Sequence, residues 1–329
     1  MVRARETRSP DDGSEPNAQP DRAEASRVGL RITRSLGTAA GAVVGACGVL
    51  VAEASWTRRH TGPKLRVVAP DDSGLFDPGY GGEPIRLTIL GDSNAAGVGV
   101  PHADETVGSH LAAGLATAAK RPVALCNVAF SGAQTRDLAA QIAGAAVPAG
   151  WPDVCLIVVG GNDVMHLRSI SRSAQLLGES IRLLRSRGAE VVVATCPDMG
   201  AERPLLQPLR LIAGRYGKLL ALSQTIVALR AGARTVSLVD SLGPIFRHFS
   251  AEMFASDRFH PSPAGYALAA DVLLPSVCAA SARFIAEKKP YPHRVYRRPK
   301  RRPATRVAFW LARRPTLGQM SCRTKDIRH

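Results

Sequence analysis

The sequence predicts an α/β fold: a three-layer α/β/α sandwich around a five-stranded parallel sheet. Three observations carry this. Five short, β-rich apolar runs recur between residues 85 and 239, separated by stretches whose apolar residues repeat at helical spacing. The runs are continuously apolar rather than alternating, as in strands covered on both faces. Each gap between runs is long enough for the helical crossover that joins parallel neighbours.

The elements follow in order. Ile85–Leu90 (IRLTIL) is the first strand, and it breaks sharply into Gly91-Asp92-Ser93-Asn94 and a small, glycine-rich stretch to Gly99. Thr106–Lys120 is Ala/Leu-rich and helical, Pro122–Val128 is the second strand, and Thr135–Ala146 is helical. Val154–Val159 is a wholly apolar third strand. Ser173–Arg187 has helical spacing and stops at Gly188. Glu190–Cys196 (EVVVATC) is the fourth strand, Leu205–Arg230 a helix with expected breaks near Gly214 and Gly217, and Thr235–Val239 the fifth strand. Pro263–Ala286 closes the domain as a helix that Pro275 is expected to kink or divide.

Composition places the rest of the chain. Its 329 residues allow one large domain with tails. The net charge of +16 is uneven: residues 283–329 hold 15 Lys/Arg against Glu287 and Asp326, so the basic character belongs to a tail. Residues 1–34 are polar and mixed in charge, and disorder is expected there. Residues 35–54 form a hydrophobic segment that includes 18 uncharged residues, SLGTAAGAVVGACGVLVA. It is long enough for a marginal membrane span, and three readings compete: a signal anchor, a cleaved signal peptide with Ala52-Glu53-Ala54 at the cleavage site, or a helix packed on the domain. An anchored or secreted domain is the favoured localisation, with the cytoplasmic side of the membrane left open. Residues 55–84 read as a linker rich in Gly, Pro and Asp, residues 85–286 as the folded domain, and residues 287–329 as a basic, disordered tail. Within that tail 288–314 interleaves Arg/Lys with Pro and aromatics, which fits an anionic membrane surface, a nonspecific phosphate contact or plain solvation; no specific nucleic acid is expected. The six cysteines show no CxxC pair and no metal-ligand spacing, so they read as buried small hydrophobes. No metal or cofactor motif is present in the sequence.

Four short motifs fall at strand ends or in the loops after them. They are Gly91-Asp92-Ser93, Asn127-Val128-Ala129-Phe130-Ser131-Gly132, Gly160-Gly161-Asn162-Asp163, and Asp257-Arg258-Phe259-His260-Pro261 before the last helix. In open α/β sheets, ligands bind outside the carboxyl ends of the strands. A serine hydroxyl is a weak nucleophile at neutral pH and needs a base within hydrogen-bond reach; His260, with Asp257 three residues before it, supplies a base and an orienting carboxylate on one short loop. Each feature also has an ordinary reading: Ser93 or Asp257 as a helix cap, Asn162 and Asp163 as a turn. Asp163 is expected to hold its loop rather than to react.

Taken together and in this order, the four motifs resemble blocks I, II, III and V of the SGNH (GDSL-type) hydrolase family, over Ile85 to about Ala286. The linker and hydrophobic segment further resemble membrane-anchored actinobacterial members. The resemblance implies a flavodoxin-like sandwich with no cofactor and a serine esterase or lipase that works through a covalent acyl-serine. It implies Ser93 as nucleophile, His260 as base and Asp257 as its orienter. It also implies an oxyanion hole from the backbone N–H groups of Ser93 and Gly132 and the side-chain amide of Asn162. An acyltransferase that passes the acyl group to a sugar or lipid hydroxyl would use the same residues. A rival from another class is a catalytically silent, membrane-tethered binding module. The family's shorthand has Leu after the serine where this chain has Asn94, and a changed turn contact is expected there. Pocket walls are expected from the loops around Asn94–Val100, His166–Ser171 and Gly200–Gln207.

Overall fold

A computed structural model describes residues 69–145, 150–202 and 204–284. The hydrophobic segment 35–54, the basic tail 287–329 and its 288–314 stretch, together with Cys47 and Cys322, lie outside the described residues.

The chain forms β1 (Gly74–Phe76), β2 (Ile85–Gly91), the short helix α1 (Ser93–Ala96), α2 (Val107–Ala119), β3 (Val123–Asn127), α3 (Leu138–Ala145), β4 (Val154–Val158), α4 (Gly161–Met165), α5 (Ile170–Ser186), β5 (Glu190–Ala194), α6 (Leu209–Arg230), β6 (Arg234–Val236), three short helices α7 (Leu238–Ser241), α8 (Gly243–His248) and α9 (Ser250–Met253), and α10 (Pro263–Ser281). The strands lie in the order β1-β3-β2-β4-β5-β6. All pairs are parallel except β1 with β3, where Gly74 faces Leu125 and Phe76 faces Val123.

The five parallel strands are those the sequence predicts, and each face of the sheet buries its own set of side chains. Ile85, Leu87 and Ile89 of β2 point to one side and pack with Leu111 and Leu115 of α2 and Tyr266, Leu273 and Val277 of α10. Leu90, Cys155 and Ile157 point to the other and pack with Leu138 and Ile142 of α3 and Leu177 and Ile181 of α5. The period-two alternation of a strand thus fills two helical layers from one apolar run. Among the described residues, Pro263–Phe284 is the helical stretch long and apolar enough to cross a membrane; its Tyr266, Ala270, Leu273 and Val277 belong to the core. Cys126, Cys155, Cys196 and Cys278 are buried.

The structure departs from the sequence reading at element boundaries. A sixth strand, β1, comes from the stretch read as linker, and Asp72 just before it is buried, accepting hydrogen bonds from Thr106 Oγ1 (2.7 Å) and Asn127 Nδ2 (3.2 Å). Three residues with an exposed face give no periodicity, so this edge strand leaves no pattern to read. β6 stops at Val236 because Ser237 caps α7 through the Asp240 N–H. Helix α6 is continuous: Gly214 and Gly217 do not break it but sit where a Cβ would lie 3.1 Å from Gly200 Cα and 3.1 Å from Met199 Cγ, so they permit close packing. Helix α10 runs through Pro275 undivided.

Candidate active site

Strand β2 lies between β3 and β4, so the chain leaves it toward one side of the sheet and later returns on the other. That reversal opens a crevice at the carboxyl end of β2. The loops after β2, β3 and β4 carry the first three motifs, and the sheet order brings all three to the rim of this crevice.

Ser93 opens α1, its side chain mostly buried. Asp92 precedes it in an extended conformation and caps the helix, its Oδ1 accepting the Asn94 N–H at 3.1 Å. The β2 end is pinned from the side by Gln141 of α3, which accepts from the Gly91 N–H and donates to the Gly91 carbonyl, both at 2.8 Å. Gln224 of α6 bridges the Cys196 N–H (2.7 Å) and the Val159 carbonyl (2.9 Å) in the same way. At both places one carboxamide, with a donor and an acceptor, meets a backbone N–H and a backbone carbonyl at the end of a strand.

The fourth motif arrives from the far side of the sequence and meets Ser93. His260 Nε2 lies 2.9 Å from Ser93 Oγ, and His260 Nδ1 lies 2.6 Å from Asp257 Oδ2. Asp257 also builds the loop: its Oδ1 accepts the N–H groups of Phe259 and His260, each at 2.9 Å. Arg258 between them takes a left-handed conformation, φ 56°, which an Asx-type turn can hold against the usual cost. Burial raises the Asp257 pKa, but the His260 side chain and the two backbone N–H groups outweigh it, and the carboxyl ends below its ordinary value. An ionised carboxylate only accepts. Nδ1 therefore carries the imidazole proton, and the Nε2 lone pair is turned toward Ser93 Oγ.

Gly99, without an assigned role in the sequence reading, seats this loop. At φ 111° a Cβ there would stand 2.8 Å from the Pro261 carbonyl oxygen and 2.9 Å from His260 Cβ. Gly132 has φ 87° and open space around a hypothetical Cβ, so the backbone conformation itself demands glycine there. Asn162, in the first turn of α4, donates through Nδ2 to the Ala133 carbonyl at 3.1 Å, which ties the third motif to the second. Asp163 is buried and holds the same junction, accepting from the Thr135 N–H (3.0 Å) and Ser173 Oγ (2.6 Å). His166 turns back to its own helix, Nδ1 against the Asn162 carbonyl at 2.8 Å.

Two buried carboxyls carry no role in the sequence reading. Asp92 is pushed up to about 6, chiefly by burial. Glu202 is 5% exposed, and burial, joined by the charges of Asp257 and Asp92, pushes it well above the carboxylate range. No periodicity or spacing singles out either; their burial depends on loops that only the assembled fold places. A cavity of about 70 Å³ is lined by Asn94, next to Ser93, and by Phe259 and Pro261, which flank His260. Leu238, Leu242, Phe246 and Tyr266 make most of its wall apolar. Asn94 and the 200–207 loop contribute to it as expected, through Ala201 and Glu202, whereas the 166–171 loop is absent from its lining. The Asn94 side chain faces this cavity instead of making a new turn contact, and its Oδ1 has no hydrogen-bond partner among the described residues.

Fold and site together define an α/β/α-sandwich protein with a serine at the carboxyl end of a central parallel strand. The chain belongs to the GDSL-like lipase/acylhydrolase family, whose model matches residues 89–268. It is an ester hydrolase of that family. A relative, the GDSL-like esterase Rv1075c of Mycobacterium tuberculosis, is 37% identical over 259 residues, covering 75% of this chain and 82% of the relative. Similar solved structures include a lipolytic protein of the G-D-S-L family from Veillonella parvula, at 19% identity and TM-score 0.46, covering 58% of this chain and 96% of that one. Another is the acetylxylan esterase Axe2 from Geobacillus stearothermophilus, at 21% identity and TM-score 0.45, covering 60% of this chain and 95% of that one.

Proposed function

We propose that this chain cleaves carboxylic esters through a covalent acyl-serine on Ser93. The observation that carries the reading is the unbroken run of hydrogen bonds from Asp257 through His260 to Ser93 Oγ. As Ser93 Oγ attacks the ester carbonyl carbon, its proton passes to His260 Nε2. Asp257 stabilises the imidazolium. The tetrahedral intermediate collapses, the carbon–oxygen bond to the alcohol breaks, and the alcohol leaves with the proton from Nε2. Water then gives a proton to Nε2 as it attacks the acyl carbon; Ser93 departs, recovers that proton and releases the acid.

Negative charge on the carbonyl oxygen is met by donors that are in place beforehand. The Ser93 N–H stands in the first turn of a helix, where backbone donors have no intrahelical acceptor. The Gly132 N–H and the second hydrogen of Asn162 Nδ2 complete the set; the first hydrogen of that amide is spent on Ala133. Fixed donors of this kind are worth about 10²–10³ each in turnover.

The test is hydrolysis of p-nitrophenyl esters of graded chain length by the full chain and by Ser93→Ala. Wild-type turnover that disappears in the variant supports the reading; turnover that persists overturns it. Release of an acylated product when an alcohol is added would assign the chain to acyl transfer rather than hydrolysis.

A further inference from the structure

The cavity beside the triad is apolar except for four side chains, and two of these are already engaged. Tyr266 donates its hydroxyl to the Val98 carbonyl at 2.7 Å. Asp198 is ion-paired with Arg247. The other two are open. Glu202 is 5% exposed and its Oε2 has no hydrogen-bond partner among the described residues; the Oδ1 of Asn94 has none either. Proteins rarely leave buried polar atoms unpaired, because each has given up water without a replacement.

The groups that line the cavity decide which ligand chemistry fits it. An anion is excluded by the company it would keep, since Glu202 and Asp198 line the cavity and Asp92 and Asp257 lie close enough to act on Glu202. A cation would require Glu202 to ionise, which burial opposes. A hydrocarbon group would leave both polar atoms unpaired. A neutral carboxyl offers one donor and an amide oxygen one acceptor, and a hydroxyl answers both, accepting one hydrogen bond and donating one. The volume of about 70 Å³ suits a group of a few heavy atoms.

We propose that this cavity recognises a hydroxyl group carried by the ester substrate, bound between the Glu202 carboxyl and the Asn94 carboxamide. The inference rests on the ester-hydrolase reading above. Glu202 and Asn94 are specificity residues for that reaction; proton transfer stays with His260. The hydroxyl belongs to the acyl group or to the alcohol, and paired isosteric esters distinguish the two. One pair is p-nitrophenyl 3-hydroxybutanoate against p-nitrophenyl 3-methylbutanoate. The other is 3-hydroxypropyl acetate against butyl acetate.

The readout is the preference for the hydroxylated member of a pair, measured twice on the full chain. It is taken from kcat/KM in the Ser93-containing protein and from equilibrium dissociation constants in Ser93→Ala. In at least one pair, Glu202→Leu is expected to lower the preference about tenfold or more, the effect of removing a buried hydrogen-bond partner. Glu202→Gln, which keeps a donor and the side-chain length, is expected to restore most of it. Asn94→Leu, on a different element, is expected to lower it as well, which covers a folding failure of Glu202→Leu. A preference in neither pair, or one that Glu202→Leu and Asn94→Leu leave unchanged, overturns the proposal. Hydrolysis that survives Ser93→Ala overturns the nucleophile assignment instead, while the preference ratios still decide the role of Glu202.

Discussion

Replacing Asp92 with Asn should stabilise the protein, and only above a definite pH. Asp92 is 2% exposed and its carboxyl is pushed from an ordinary 3.8 to about 6, burial being the largest cause. The folded state therefore holds this proton more tightly than the unfolded state does. The contribution to stability is complete below pH 3.8 and is lost as pH rises through about 6. Above that, the folded protein carries a desolvated carboxylate, at a cost of roughly 3 kcal/mol. Asn is neutral at all these pH values and keeps an oxygen in place to accept the Asn94 N–H, so the helix cap survives, while its Nδ2 cannot accept from the Gly161 N–H as Asp92 does, a loss that does not vary with pH. For a domain of this size roughly 3 kcal/mol corresponds to a rise in melting temperature of about 6–12 °C. Thermal unfolding of Asp92→Asn and wild type, followed from pH 4 to pH 8, should show a difference that moves in favour of the variant from pH 4 and reaches its full value by pH 7. A difference independent of pH would refute the assignment of the penalty to a buried, ionised Asp92.

Other substitutions separate chemistry from scaffolding. Ser93→Ala should lower ester turnover by about 10⁴-fold or more and leave thermal stability nearly unchanged, because the Ser93 hydroxyl bonds only to His260 among the described residues. Asn162→Ala should lower kcat by about 10²–10³ with a smaller effect on KM, as loss of a donor used in the transition state does. Gly99→Ala should fold yet lose about 10²-fold in kcat/KM, since a Cβ 2.8 Å from the Pro261 carbonyl displaces the His260 loop. Asp163→Ala strands the Thr135 N–H and the Ser173 hydroxyl, and should cost about 3 kcal/mol by chemical denaturation.

Legibility in the sequence followed physical range. The five parallel strands were readable because burial on both faces makes each a continuous apolar run, and their parallel direction because each gap holds a helical crossover. Ser93, Asp257 and His260 were readable because Asp257 and His260 share one four-residue loop and Ser93 sits at the end of such a run. The edge strand at Gly74–Phe76 was not, since three residues with an exposed face leave no signature. Gly214 and Gly217 misled because a glycine that admits a neighbour and a glycine that breaks a helix look alike until the neighbour, Gly200 or Met199, is in place. Gln141, Gln224, Asp92 and Glu202 were silent for the same reason. Their roles depend on what a fold brings beside them from far along the chain, 28 residues away for Gln224 and Cys196 and 50 for Gln141 and Gly91.

The most direct measurement is the mass of the protein during turnover. Rapid acid quenching with p-nitrophenyl acetate, followed by peptide mass spectrometry, should find an acetyl group on the peptide that holds Ser93, and none in Ser93→Ala. Acetyl on another residue, or undiminished turnover by Ser93→Ala, would contradict the acyl-serine account.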